Sequence, residues 1–106
     1  MGFNQANMQK MLRQAQKMQA DMAKLQEELK TTEVQAEAGG GMVCATVTCG
    51  QELVKLEIKK EVVDPEDVEM LEDMVIAAVN EALRKAAELS ANEMAKITKG
   101  MNLPGF

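Results

Sequence analysis

Between positions 4 and 30 the apolar side chains recur as Met8, Met11, Ala15, Met18, Met22, Leu25 and Leu29, at spacings of 3, 4, 3, 4, 3 and 4. That is a heptad seam held over three heptads. The stretch contains no Gly or Pro and is rich in Met, Gln, Lys, Glu and Ala, all good helix formers. It predicts one helix of about 40 Å, at 1.5 Å per residue. A narrow seam on so long a helix calls for a partner helix, in the manner of a coiled coil, along at least part of its length.

The period then changes from 3.6 to 2. Residues 31–38 (TTEVQAEA) turn β-like, and Gly39, Gly40 and Gly41 break the chain as a hairpin loop would. Over 42–49, Val43, Ala45, Val47 and Cys49 point one way and Met42, Cys44, Thr46 and Thr48 the other. Gly50 and Gln51 make the next turn. Residues 53–60 alternate again, with Val54, Leu56 and Ile58 expected inward and Lys55, Glu57 and Lys59 outward. This describes a three-stranded antiparallel meander with one solvated face.

Asp64, Pro65, Glu66 and Asp67 read as a helix start. Asp64 is the expected cap, Pro65 suits the first helical position, and the acids favour the helix dipole. The helix is expected to run to Lys99, with Gly100 as its stop. Val68, Leu71, Val75, Ala78 and Ala82 step by 3 and 4, and Leu83, Leu89, Met94 and Ile97 continue an apolar side less regularly. Met18, Met22 and Leu25 of the first helix, with Val68, Leu71 and Val75 of the second, are the expected core or dimer positions. The MNLPGF tail, from about 100 to 106, contains Pro and Gly and reads as irregular. The fold class is therefore α+β in the order α-β-β-β-α.

With 106 residues, 46% of them apolar and 27% charged, the composition is that of one globular domain, 1–106, without repeat or linker. A chain this short buries only roughly two-thirds of its unfolded surface, so surface borrowed from a second copy would help. The sequence has no His, Trp or Tyr, two Phe and ten Met. The missing His removes the commonest general base and neutral metal ligand, and Met marks adaptable packing. Cys44 and Cys49 on one strand would stand ~16 Å apart on opposite faces, too far for a disulfide. Without His they also make a poor zinc site. They read as packing residues in a reducing cytosol. MGFNQANMQK has no apolar core of a signal peptide, and the longest apolar run, 74–79, is too short to span a bilayer. These features point to a soluble cytoplasmic protein.

The net charge of −5 looks wrong for a nucleic-acid binder, but its distribution matters more. Residues 1–24 carry Lys10, Arg13, Lys17 and Lys24 against Asp21 alone, and residues 82–106 carry Arg84, Lys85, Lys96 and Lys99 against Glu88 and Glu93. Residues 61–81 hold eight acids and no base. If both helices leave the same end of the sheet they run antiparallel. That would gather Lys10, Arg13 and Lys17 near Lys96 and Lys99, with the acids of 61–73 held near the sheet. Lys10, Arg13, Lys17 and Lys24, spaced 3, 4 and 7, share one helix face off the seam. Such a stripe is either a solvated flank or a phosphate-contact surface, and Gln5, Gln9, Gln14 and Gln16 add neutral donors to it. The stripe has no aromatics, which argues against base stacking on single strands.

Catalytic chemistry is thin. The Gly run lacks a phosphate-loop frame, the acids of 61–73 lack metal-loop spacing, and Ser90 and the cysteines have no His to activate them. The chain reads as non-enzymatic, without cofactor, metal or small-molecule substrate.

The order of these pieces resembles a known family. A Met- and Gln-rich helix (NMQKMLRQAQKMQADMAKLQEEL) leads to a Gly-rich hairpin region (AGGGMVCATVTCGQELVKLEIKKEVV). An acid-capped helix (DPEDVEMLEDMVIAAVNEALRKAAEL) and the KGMNLPGF tail follow. The chain resembles the YbaB/EbfC family of bacterial nucleoid-associated DNA-binding proteins over essentially its full length. The resemblance implies an intertwined homodimer with projecting helices. It implies binding of double-stranded DNA, with effects on DNA conformation, nucleoid organisation and gene expression. Contact is implied at the projecting ends, where this chain has Lys10, Arg13, Lys17, Lys96 and Lys99, with Lys24 further along the same face. The competing reading is a coiled-coil holdase or assembly adaptor with a Met-rich client surface. Three strands rather than a simple hairpin argue against it.

Overall fold

The computed structural model describes residues 5–100; Asn4, expected to open the first helix, and the tail beyond Gly100 lie outside them. Helix α1 (Gln5–Leu29) is followed by strands β1 (Glu33–Ala38), β2 (Val43–Thr48) and β3 (Leu53–Ile58), a 3-10 turn at Lys60–Val62, and helix α2 (Val68–Gly100). The strands form one antiparallel sheet in the order β1-β2-β3. The molecule measures 78 × 23 × 16 Å, because α1 and the second half of α2 project beyond a small sheet.

Helix α1 ends where Thr31 and Thr32 take over its last carbonyls. Both hydroxyls donate to the Glu28 carbonyl, at 3.2 and 2.8 Å, which satisfies an acceptor the helix leaves open. The first hairpin turns through Gly39, Gly40 and Gly41 at φ +64°, +68° and +93°, a region in which an L side chain is strained. A β-carbon at Gly39 would also collide with Met74 Sδ, whereas Gly40 faces open space. Gly40→Ala is expected to lose ~1–2 kcal/mol from the left-handed backbone alone, and Gly39→Ala more, because Met74 must move as well. Thermal melts of the two variants test this ranking. Equal midpoints would mean that Met74 is not held against the loop.

The second turn is held by Thr48, whose hydroxyl accepts from Gly50 N at 3.2 Å and Glu52 N at 3.3 Å. Cys49 N donates to Thr32 O at 2.9 Å and ties the exit of α1 to the end of β2. A β-bulge interrupts the pairing of β2 with β3. Thr46 faces Lys55 and Val47 faces Leu53, which leaves Val54 as the extra residue.

The start of α2 corrects the expectation. Asp64 closes a turn, accepting from Glu66 N at 2.9 Å on its carboxylate and from Asp67 N at 2.9 Å on its carbonyl. The cap is Asp67, whose carboxylate accepts from Met70 N at 3.2 Å, and the helix begins at Val68. Pro65 serves the turn rather than the first helical position. Likewise the third strand stops at Ile58 instead of 60, and the 3-10 turn that follows buries Val62.

The core lies between one face of the sheet and α2. Val43, Ala45 and Val47 are fully buried beneath Ala78, Ala82 and Ala86, with Ala36 beside them. Small residues at every fourth position let the helix backbone approach the sheet closely. Leu71 and Val75 reach the margin of this core and are half-buried, but Val68 is 52% exposed and lies outside it. The expected inward face of β3 is also corrected. Leu53, Val54, Leu56 and Ile58 are all exposed, at 38–46%, because α2 lies over β1 and β2. A helix about 10 Å wide cannot cover three strands spaced about 4.8 Å apart once its own axis is centred on the first two.

Candidate nucleic-acid interface

The topology fixes where the two helices point. Met74 lies against Gly39 at one end of the sheet, and the Lys85 amine donates to the Gln35 carbonyl 3.3 Å away, nearer the other end. Helix α2 therefore runs along the sheet toward the end where β1 begins and α1 arrives. Beyond the sheet, α2 continues as Leu89, Ser90, Glu93, Met94 and Ile97, all half-buried. On α1 the half-buried positions are Met18, Asp21, Met22 and Leu25, with Leu29 buried at the sheet. The two helices touch with chain directions opposed. The expected helix-on-helix seam exists, then, over its C-terminal half. Met8 and Met11 of its N-terminal half are about 60% exposed.

This arrangement separates charge along the long axis. The acids Asp67, Glu69 and Asp73 gather with Gly39 at one end of the sheet. The basic residues of α1 project from the opposite end. Lys10, Arg13, Lys17 and Lys24 are all exposed. At about 100° per residue they fall on one face of α1, opposite the methionine seam. Lys17 lies 3.4 Å from Asp21 and Lys96 lies 2.7 Å from Glu93, both pairs on the surface. Such pairs contribute ~0–1 kcal/mol and are readily exchanged for a phosphate partner. Among the described residues, Lys10, Arg13, Lys24 and Lys99 make no ion pair within 4.0 Å.

The other bases of α2 are committed elsewhere. Arg84 is clasped by Glu81 and Glu88. The Glu81 hydrogen bond leads the causes that raise the guanidinium's already high pKa, and the same bond with Arg84 lowers that of the Glu81 carboxyl. Lys85 is turned back onto the sheet. These roles were not visible in the charge count, although the i, i+3 and i, i+4 spacing of Glu81, Arg84 and Glu88 was the available signal.

Cys44 and Cys49 are free and half-buried. Cys44 stands in register with Glu37 and Glu57 on the polar face, and Cys49 packs at the edge of the core. Among the described residues, no group of three His, Cys, Asp or Glu side chains could hold a metal ion, and no helix is long and apolar enough to cross a membrane.

The family model described as the YbaB/EbfC DNA-binding family matches residues 3–101. A nucleoid-associated protein of Thermoanaerobacter pseudethanolicus is 57% identical over 105 residues, covering 99% of this chain and 92% of that protein. A nucleoid-associated protein of Alkaliphilus metalliredigens is 56% identical over 100 residues, covering 94% and 88%. The solved structure of the uncharacterized protein HP0035 from Helicobacter pylori superposes with a TM-score of 0.69 at 24% identity, over 92% of this chain and 99% of that one. That structure shares the fold. With a family match across nearly its whole length and relatives above half identity, this chain belongs to the YbaB/EbfC family of nucleoid-associated DNA-binding proteins.

Proposed function

We propose that this protein binds double-stranded DNA as a homodimer through its projecting helical tips. There it alters DNA conformation and contributes to nucleoid organisation and gene regulation in the bacterial cytoplasm. The observation that carries this reading is the charge separation. An overall acidic molecule presents four exposed bases on one face of a helix that projects away from its acidic end. Phosphate contacts of this kind fix position rather than sequence, so discrimination between DNA sequences is small. The stripe has no aromatic residue on which a base could stack, which favours duplex over single strands.

The dimer is supported by what one chain leaves uncovered. Ile58 of β3 and Leu71, Val75 and Ile76 of α2 line an open groove together with Glu72 and Asp73, and Leu53 and Leu56 of β3 are exposed as well. A second copy laid here would bury these side chains and present two basic tips to one duplex. Two weak tips joined in one particle raise each other's effective concentration.

Anisotropy of a labelled duplex, titrated at several salt concentrations, tests the proposal. The logarithm of affinity should fall against the logarithm of salt with a slope steeper than about −2.7, the value for three neutralised phosphates. Binding that ignores salt, or no binding at low salt, would overturn it. Light scattering should give twice the 11.6 kDa chain mass, and a monomer at micromolar concentration would remove the two-tip arrangement. The Cys44→Ala, Cys49→Ala double variant should keep the same salt-dependent affinity and lose only ~1–2 kcal/mol of stability. A folded double variant that no longer binds would assign the thiols a role in recognition.

A further inference from the structure

The methionine seam of α1 divides at Met18. Met18, Met22 and Leu25 are half-buried, while every residue from Gln5 to Lys17 is exposed. Met8, Met11 and Leu12 stand open by 58%, 61% and 60%, and they line a groove with Gln5 and Gln9. In the heptad that puts Met8 at position a and Met11 at d, the flanking e and g positions of this stretch are Gln5, Leu12, Asn7 and Gln14. None of the four carries a charge. These flanks are where like charges keep two helices apart. Lys10 and Lys17 fall at c and Arg13 at f, on the far side of the helix.

We propose that the α1 tip pairs with the α1 tip of a second copy, antiparallel, with Met8 of each copy against Met11 of the other. Uncharged flanks around an open seam make the tip complementary to itself, and the pairing continues the helix-on-helix contact already present at Met18, Met22 and Leu25. The register follows from the seam. Setting Met8 against Met11 in both directions places residue 5 opposite residue 14, so the overlap uses only exposed positions and Met18 of neither copy enters it. A parallel partner would instead bring the two half-buried halves side by side, where each α1 is already in contact with its own α2. The antiparallel pair leaves the bases of both tips facing outward, so the face assigned to DNA stays open. Three apolar side chains from each copy are far fewer than the roughly 20 residues a side of a standard interface, so one tip contact is transient. Particles with two tips, held near one another on a duplex, meet at high effective concentration and join. Only that last consequence rests on the DNA reading; the pairing does not.

Disulfide trapping without DNA tests the proposal. Met8→Cys and Met11→Cys chains, each in a Cys44→Ala, Cys49→Ala background, are mixed and oxidised, and peptide mass spectrometry identifies the joined residues. The 8–11 bond between chains should exceed the bond formed by an Arg13→Cys chain, on the opposite face, by about tenfold, since a disulfide needs Cα atoms within about 7 Å. Raising salt from about 0.1 to about 1 M shortens the screening length from about 10 to about 3 Å, relieves the repulsion between the two sets of bases, and should raise the yield about threefold. DNA binding weakens over the same change in salt, so failure of one reading is distinguishable from failure of the other. Three results overturn the proposal: an 8–11 yield no higher than that of the Arg13→Cys control, which would leave the groove to a different occupant; 8–8 and 11–11 bonds in excess of 8–11, which would mean a parallel pair; or a yield that falls with salt.

Discussion

Ala82→Glu is expected to unfold the protein. Ala82 is fully buried at the centre of the Ala78, Ala82, Ala86 stripe, through which α2 seats on Val43, Ala45 and Val47. A glutamate there either carries an unpaired charge into an apolar contact or lifts the helix off the sheet. The first alternative costs several kcal/mol and the second removes most of the core. Total stability for a domain of this size is ~5–15 kcal/mol, so neither alternative is tolerable. Ala87→Glu is the matched control, because Ala87 lies on the exposed side of the same helix and should change stability by less than about 0.5 kcal/mol. Circular dichroism melts decide between them. If the two variants melt alike, α2 does not seat through its alanines.

Reversing charge at Lys10, Arg13 and Lys17 together should abolish DNA binding and leave fold and oligomeric state intact. All three side chains are exposed and none enters the core, so their replacement by Glu disturbs only the surface. Each loses an attraction and gains a repulsion against phosphate. A loss of at least about 100-fold at low salt follows, and the salt slope should fall by roughly 0.9 for each phosphate contact removed. Lys55 on the third strand and Lys59 just after it provide the contrast. Lys55 pairs with Glu57 at 3.8 Å and stands among acids, so charge reversal at these two should matter far less. If the strand lysines prove essential and the helix bases do not, the DNA surface is the sheet rather than the tips.

The elements themselves were legible in the sequence because their periods differ so clearly. The heptad seam of α1, the glycine loop and the second strand all have structural counterparts in the expected order, but Thr46 and Thr48, expected on the solvated face of that strand, are buried. What was not legible concerns coverage. Alternation reports which way Leu56 and Ile58 point, but not whether a helix lies over them, and one helix covers only two of the three strands. The α2 contact was hidden for a related reason. Large apolar residues such as Val68 draw attention, yet a close helix-on-sheet approach selects alanine, and Ala86 completes the row. At the helix start, two aspartates three residues apart can each serve as a cap, and only the turn closed by Asp64 hands that role to Asp67. The basic stripe was legible as a stripe. Its separation from the acidic end depends on the direction in which both helices leave the sheet, and that follows from topology rather than from local spacing.

The up-and-down order of the strands also bears on how quickly this chain folds. Each strand pairs with its neighbour in sequence, across a loop of four residues after β1 and another of four after β2. Nothing in the sheet waits for a distant segment, and both helices grow from local contacts alone. The slow events are the arrival of α2 on β1 and β2 and on α1, which close the long loops in the molecule. Local strand pairing combined with long-range helix docking places such a mixed domain between helical bundles and all-β barrels in folding rate.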